Sequence, residues 1–217
     1  VECQADHMID PESVTKAITS KTKAIMPTQL NGRTCDMDAL QEIADQHGLK
    51  IIEDSAQGLG SKFKGKSAGT FGIAGTISFY PAKNLGSFGD AGAVITNDNE
   101  MAEKMKLLRD HGRNEDGKVV AWGLNSRIDT LQAAILNYRM KNYDTIVKRR
   151  REIAQQYDQY LSQIEELVLP PKQKVDGNHF DVYQNYEIES QNRDGLKEYL
   201  KNNGIGTLVQ WGGTAVH

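Results

Sequence analysis

The chain reads as an α/β protein with a mainly parallel sheet, followed by the beginning of a smaller α+β domain. Three observations carry that reading. Strand-like apolar runs alternate with helical periodicity across short connections, polar side chains gather where those strands end, and the composition changes at Leu169-Pro170-Pro171. Strand, helix and strand joined by short links form a βαβ unit, whose strands are parallel and whose crossover is right-handed.

Each element has a local signal. Asp10-Pro11-Glu12-Ser13 starts a helix, with Asp as the cap, Pro at the first helical position and acids in the first turn. Lys23-Ala24-Ile25-Met26-Pro27 is a compact apolar run suited to a buried strand, and Asn31-Gly32-Arg33-Thr34 is a loop. Asp36 caps a second helix, in which Met37, Leu40, Ile43 and Ala44 recur at helical spacing until Gly48 ends it. Residues 49–54, 76–80 and 92–96 read as further strands, and Asn97 or Asp98 caps a helix through Met101, Met105 and Leu108. From 128 to about 161 the pattern is almost continuous helix, with Leu131, Ala134, Ile135, Tyr138 and Ile146 on its apolar side. Beyond the linker, 182–188 alternates as a half-buried strand, and Asn192-Arg193-Asp194 opens a helix that stops at Gly204. A boundary is therefore placed between a large domain, 1–168, and a small one that begins at 169 and runs to 217.

The 217 residues, 38% hydrophobic and 25% charged, suffice for one large domain and part of a second. The formal net charge is -3 with scattered bases, so no basic patch points to nucleic acid or an anionic membrane. The densest positive stretch, Lys148-Arg149-Arg150-Arg151, is expected to fan out over a solvated helix surface. No apolar run reaches the roughly 18 residues a membrane span needs. Cys3 and Cys35 form no CxxC and have no His at ligand spacing, so reduced thiols, no metal site and a cytoplasmic setting are expected. Both ends read as cut, since the chain opens at Val1 close to a helix and stops at His217 just after a glycine-rich segment.

Open α/β sheets bind ligands outside the carboxyl ends of their strands. Two segments place polar residues there: Glu53-Asp54-Ser55-Ala56-Gln57, and the stretch Ser78-Phe79-Tyr80-Pro81-Ala82-Lys83-Asn84-Leu85-Gly86. Taken singly, Asp54 suits a cap and Lys83 a surface lysine. Taken together they suggest more. A carboxylate at the end of an apolar strand is costly to bury without a partner such as a protonated ring nitrogen. A lysine in a loop of small residues can be desolvated and reactive, as Schiff-base chemistry needs. Pyridoxal phosphate requires both groups.

These two stretches are joined by Lys64-Gly65-Lys66 with Gly69-Thr70-Phe71-Gly72, by Gly89-Asp90-Ala91-Gly92-Ala93-Val94, and by Gly123-Leu124-Asn125-Ser126-Arg127-Ile128-Asp129-Thr130-Leu131-Gln132-Ala133-Ala134. In this order they resemble the DegT/DnrJ/EryC1/StrS sugar aminotransferases, within the fold-type-I pyridoxal-5′-phosphate enzymes. The resemblance implies the large domain of that fold. It places Lys83 where the family keeps the lysine that holds the cofactor and shuttles the substrate proton as base and acid. Asp54 matches the acid on the pyridine nitrogen, Gln57 the amide on the ring hydroxyl, and Ser78 a donor to the phosphate. Asn125 matches a residue that reaches the cofactor phosphate of the neighbouring subunit, implying a homodimer with a shared active site. Arg127 either helps hold that loop or makes a structural salt bridge, and His217 matches a position lining the sugar side of the pocket.

The reaction so implied moves an amino group from an amino acid, by family habit L-glutamate, to a nucleotide-linked keto-deoxyhexose. Its product would enter a cell-surface polysaccharide or a glycosylated metabolite. Two alternatives stay open: another fold-type-I enzyme acting on amino acids only, and a non-catalytic, ligand-binding member of the family. Lys83 argues against the dehydratase branch, which carries His there. Family members also cradle the phosphate with a helix start, and stack an aromatic on the ring, from a region before this chain begins, so weak cofactor binding by the polypeptide alone is expected. Gln210 and Trp211 replace a more usual His-Tyr pair, a change expected to alter the sugar or ring carbon addressed.

Overall fold

The computed structural model describes residues 1–173 and 177–213. Asp10 caps α1 (Pro11–Ala17) by accepting from the backbone N–H groups of Glu12 and Ser13, donors the first turn would otherwise leave unpaired. After β1 (Ala24–Ile25) and a single helical turn at Leu30–Gly32 comes α2 (Met37–His47). Asp36 caps it through the N–H of Ala39, and Gly48 closes it at φ 63°, a left-handed conformation that glycine adopts without a Cβ clash. β2 (Lys50–Asp54), β3 (Lys62–Phe63), β4 (Lys66–Ser67), β5 (Ala74–Ser78) and β6 (Gly92–Ile95) follow. Then come α3 (Asn99–Arg109), α4 (Thr130–Met140), α5 (Tyr143–Leu161), β7 (Leu167–Val168), β8 (His179–Phe180), β9 (Glu189–Ser190) and α6 (Arg193–Asn202).

The main sheet runs β1-β2-β5-β6. The first three strands are parallel, and β6 turns back antiparallel against β5. Because β2 and β5 are parallel neighbours, with Asp54 opposite Thr76, Asp54 and Ser78 leave the sheet at the same edge. Two small antiparallel sheets, β4-β3-β8 and β7-β9, complete the architecture among the described residues.

Two cores support that edge. Val14, Ile25, Met37, Leu40, Ala44 and Ile51 pack where α1 and α2 cover the sheet. Leu40 and Met37 are essentially inaccessible, and burial of such a side chain stabilises by roughly 1.5–3 kcal/mol. The second core, Leu85, Leu136, Tyr143, Val147 and Val182, lies under the Lys83 loop.

Glu53 is 0% exposed, yet its carboxylate is fully satisfied. One oxygen accepts from Gln29 Nε2 at 2.9 Å and Gly69 N at 2.7 Å. The other accepts from Phe71 N at 2.5 Å and Gly72 N at 3.0 Å. A buried carboxylate is tolerable when every lone pair finds a donor. Here it ties the glycine-rich segment 69–72 to β2.

Three sequence expectations are corrected. Residues 182–188 form no strand: Tyr183 sits at φ 50°, and the N–H groups of Val182 and Gln184 donate to the carbonyls of Gly32 and Asn31 instead. The helix over 128–161 is broken between Met140 and Tyr143. Its expected apolar face is largely turned outward, with Leu131 and Tyr138 exposed, while Leu136, Tyr143, Val147 and Ala154 face in. The basic run is not wholly solvated. Arg149 pairs with Glu152 at the surface, but Arg150 donates to the carbonyls of Tyr183 and Gln184, and Arg151 to that of Asp181. Arginine's fixed fork suits such bracing of bare carbonyls.

Candidate active site

At the carboxyl edge of β2 and β5 a small open cavity of about 190 Å³ is lined by Ala56, Gln57, Leu59, Ser78, Lys83, Asn84, Leu85, Tyr143 and Gln184. The structure thus brings Gln57, Ser78 and Lys83 into one cleft. Asp54 stands beside it, close enough to act electrostatically on the lysine. Burial pushes the Lys83 amine below the ordinary lysine range, and the Asp54 carboxylate opposes that shift. A half-buried amine with a lowered pKa carries more of the neutral, nucleophilic form at neutral pH.

Local hydrogen bonds orient each group. The Asp54 carboxylate accepts from the N–H of Ala56 at 3.1 Å. Gln57 Oε1 accepts from the N–H of Asn31 at 2.7 Å, so the end this amide has to offer a ligand is its NH₂ donor. Ser78 Oγ accepts from the N–H of Tyr80 at 3.2 Å and keeps its own O–H as a donor.

The Lys83 loop is closed tightly. The N–H of Lys83 donates to the carbonyl of Tyr80 at 2.8 Å, and that of Ser87 to Phe79 at 2.7 Å. Arg139 Nη1 donates to the carbonyl of Gly86 at 2.5 Å. A Cβ on Gly86 would strike the backbone oxygen of Pro81, which no side-chain rotation can relieve. Gly86→Ala is therefore expected to lower stability by about 1–3 kcal/mol, measurable as a thermal melt, and to loosen the loop so that Lys83 titrates nearer the ordinary lysine range.

Asn125 and Arg127 lie elsewhere. Asn125 does not line this cleft. It is exposed in the segment after α3, paired to Asp110 by a β-bridge and contacted by Arg127 Nη2 at 3.4 Å. Arg127 makes an ion pair with Asp110 at 3.0 Å, exposed enough to contribute little stability. His217 lies outside the described residues. Sequence reasoning missed Asn84, Tyr143 and Gln184 as cleft residues. Only Asn84, next to Lys83, had a local signal; the other two arrive from distant helix and loop segments.

The model of the DegT/DnrJ/EryC1/StrS aminotransferase family matches residues 1–217. A protein of Geobacillus stearothermophilus called pleiotropic regulatory protein is 45% identical over 204 residues, covering 94% of this chain and 54% of the relative. The dTDP-3-amino-3,4,6-trideoxy-alpha-D-glucose transaminase of Streptomyces venezuelae is 40% identical over 213 residues, covering 97% of this chain and 55% of the relative. Among solved structures, S. venezuelae DesV in complex with a ketimine intermediate superimposes with a TM-score of 0.91 at 40% identity, over 96% of this chain and 56% of that one. The Bacillus subtilis NtdA structure with bound cofactor PMP gives 0.84 at 31%, over 97% and 48%. The chain spans about half the length of the curated relatives it matches.

Proposed function

We propose that this chain, which belongs to the DegT/DnrJ/EryC1/StrS aminotransferase family, carries the cofactor lysine of a cytoplasmic nucleotide-sugar aminotransferase. One observation supports this above the others: a partly desolvated lysine, an acid acting on it, an amide donor and a hydroxyl donor meet at the carboxyl edge of two parallel strands. The donor set fits pyridoxal phosphate by its chemistry. Lys83 supplies an amine for the aldehyde, Asp54 a carboxylate for the ring nitrogen, Gln57 an NH₂ for the ring hydroxyl, and Ser78 an O–H for the phosphate.

When bound, the cofactor supplies an electron sink for the carbanion formed at the substrate carbon. Asp54 would be the carboxylate that holds a proton on the ring nitrogen and so sustains that sink. With the cofactor bound, Lys83 Nζ would hold it and would serve as the base that takes the proton from the substrate carbon and the acid that gives a proton back. The amino donor is an amino acid, L-glutamate by preference, and the acceptor a keto-sugar linked to a nucleoside diphosphate, on the way to a cell-surface polysaccharide. Residues 1–168 are assigned to the cofactor domain and 169–217 to the opening of a smaller one, with β8, Val182 and Gln184 of that segment packed against the first.

The working form is a homodimer with a shared site. Val119, Trp122, Leu124, Leu131 and Tyr138 are all exposed, Trp122 to 99%, and a soluble monomer rarely leaves so much apolar surface uncovered. Asn125 sits within this stretch, so a second copy covering it would receive that amide.

The test is borohydride reduction of the full-length protein with pyridoxal phosphate, peptide mapping, and a panel of nucleotide-linked keto-sugars with amino acid donors. An adduct on the Lys83 peptide together with an aminated sugar is the expected result. An adduct with transfer between amino acids alone favours the first alternative. Binding of a sugar ligand without adduct or transfer favours a regulatory, non-catalytic role, the reading suggested by the name of the Geobacillus relative.

A further inference from the structure

We infer that Gln184 is a positioning residue for Lys83, its carboxamide bracing the loop on both sides of the lysine. The inference rests on the reading of Lys83 as the cofactor lysine. Gln184 Oε1 accepts from the N–H of Asn84 at 2.9 Å, and its Nε2 donates to the carbonyl of Ala82 at 3.0 Å. The two bonds hold the residues immediately after and before Lys83. One planar amide therefore fixes where the lysine leaves the backbone.

Gln184 is itself anchored. Its N–H donates to the carbonyl of Asn31 at 2.9 Å, and its own carbonyl accepts from Arg150 Nη1 at 3.2 Å. Each of its four polar groups thus has a partner, as a buried glutamine requires. The neighbouring Asn84 Nδ2 adds a bond to the carbonyl of Val182 at 3.2 Å. Asn31, which anchors Gln184 through its carbonyl, also sets Gln57 through its N–H. The lysine loop and the Gln57 amide therefore share one support, and Gln184 connects them.

The chemistry at 184 is specific. Methionine would fill a similar volume but make neither bond. Glutamate would keep the acceptor for Asn84 N–H, lose the donor to Ala82, and set a negative charge beside the lysine. A residue with a purely space-filling role would tolerate methionine.

Two readouts on the full-length protein decide it. One is the pH profile of Lys83 acylation by trace acetic anhydride, read by peptide mass without cofactor. The other is the rate at which borohydride-trappable pyridoxal phosphate appears on the same peptide. Gln184→Met is expected to slow trapping roughly ten- to a hundredfold, because small misplacements of a reacting group cost that much. Gln184→Glu, which also serves if the methionine variant does not fold, is expected to move the Lys83 profile to higher pH while that of exposed Lys62 stays put. Unchanged trapping and an unchanged profile in both variants would overturn the proposal. No adduct in the unsubstituted protein would overturn the cofactor reading instead, and the acylation profile would still show whether Gln184 acts on the lysine.

Discussion

Lys83→Arg in the full-length protein is expected to abolish the trappable adduct on its peptide and to lower the proposed amino transfer by at least about a thousandfold, the scale of a lost general acid–base group. Arginine keeps the positive charge and much of the length, but its guanidinium stays protonated and is neither nucleophile nor base. The fold should hardly notice. The N–H of residue 83 still donates to Tyr80, the flanking bonds from Gln184 go to residues 82 and 84, and the side chain is only half-buried. An unchanged melting temperature with lost transfer is thus the expected pair of results, read by calorimetry and by mass detection of the aminated sugar. Transfer retained at the level of the unsubstituted protein would place the chemistry elsewhere.

Glu53→Gln is the largest expected effect on stability, although it changes only one atom of the side chain. The carboxylate presents acceptors to four N–H donors, three of them backbone groups that cannot turn away. A carboxamide can accept at one end only; its NH₂ would face two donors at the other. Leaving buried donors unmet costs about 1–3 kcal/mol each, so a loss of about 3–5 kcal/mol is expected. For a chain of this size that lowers the melting temperature by roughly 10 °C, measurable by circular dichroism. A shift under about 2 °C would mean that the segment 69–72 does not depend on this carboxylate.

Local chemistry was legible in the sequence, and long-range chemistry was not. Asp10, Asp36, Asp98 and Asn192 each cap the helix they precede, because a cap needs only a short polar side chain two or three residues before its donors. The parallel pairing of β1 with β2 was legible from the strand–helix–strand order around α2, whose length suits a crossover, whereas the pairing of β2 with β5 across the irregular glycine-rich segment was not. The stretch 182–188 alternates like a strand, but its partners are the carbonyls of Gly32 and Asn31, some 150 positions away, and no period encodes that. The outward face of α4 is apolar, so periodicity alone assigned it to the core. Asp54, Gln57, Ser78 and Lys83 could be singled out as candidates because they lie in two short motifs at strand ends, and three of them line the cleft. Gln184 and Arg150 carry no motif, and only the folded chain shows what they touch.

The separation of 100 positions between Asn84 and Gln184 has a consequence for synthesis. Translation adds about 5–20 residues per second, so the lysine loop leaves the ribosome roughly 5–20 s before its brace does. During that interval the β2 and β5 strands and the glycine-rich segment can assemble, but the loop lacks Gln184 and the second core lacks Val182. A nascent chain arrested before residue 182 would hold Lys83 on a loop without the Gln184 bonds. If Lys83 holds the cofactor as proposed, a rigid lysine loop would be completed by the emergence of the distal segment rather than of the lysine itself.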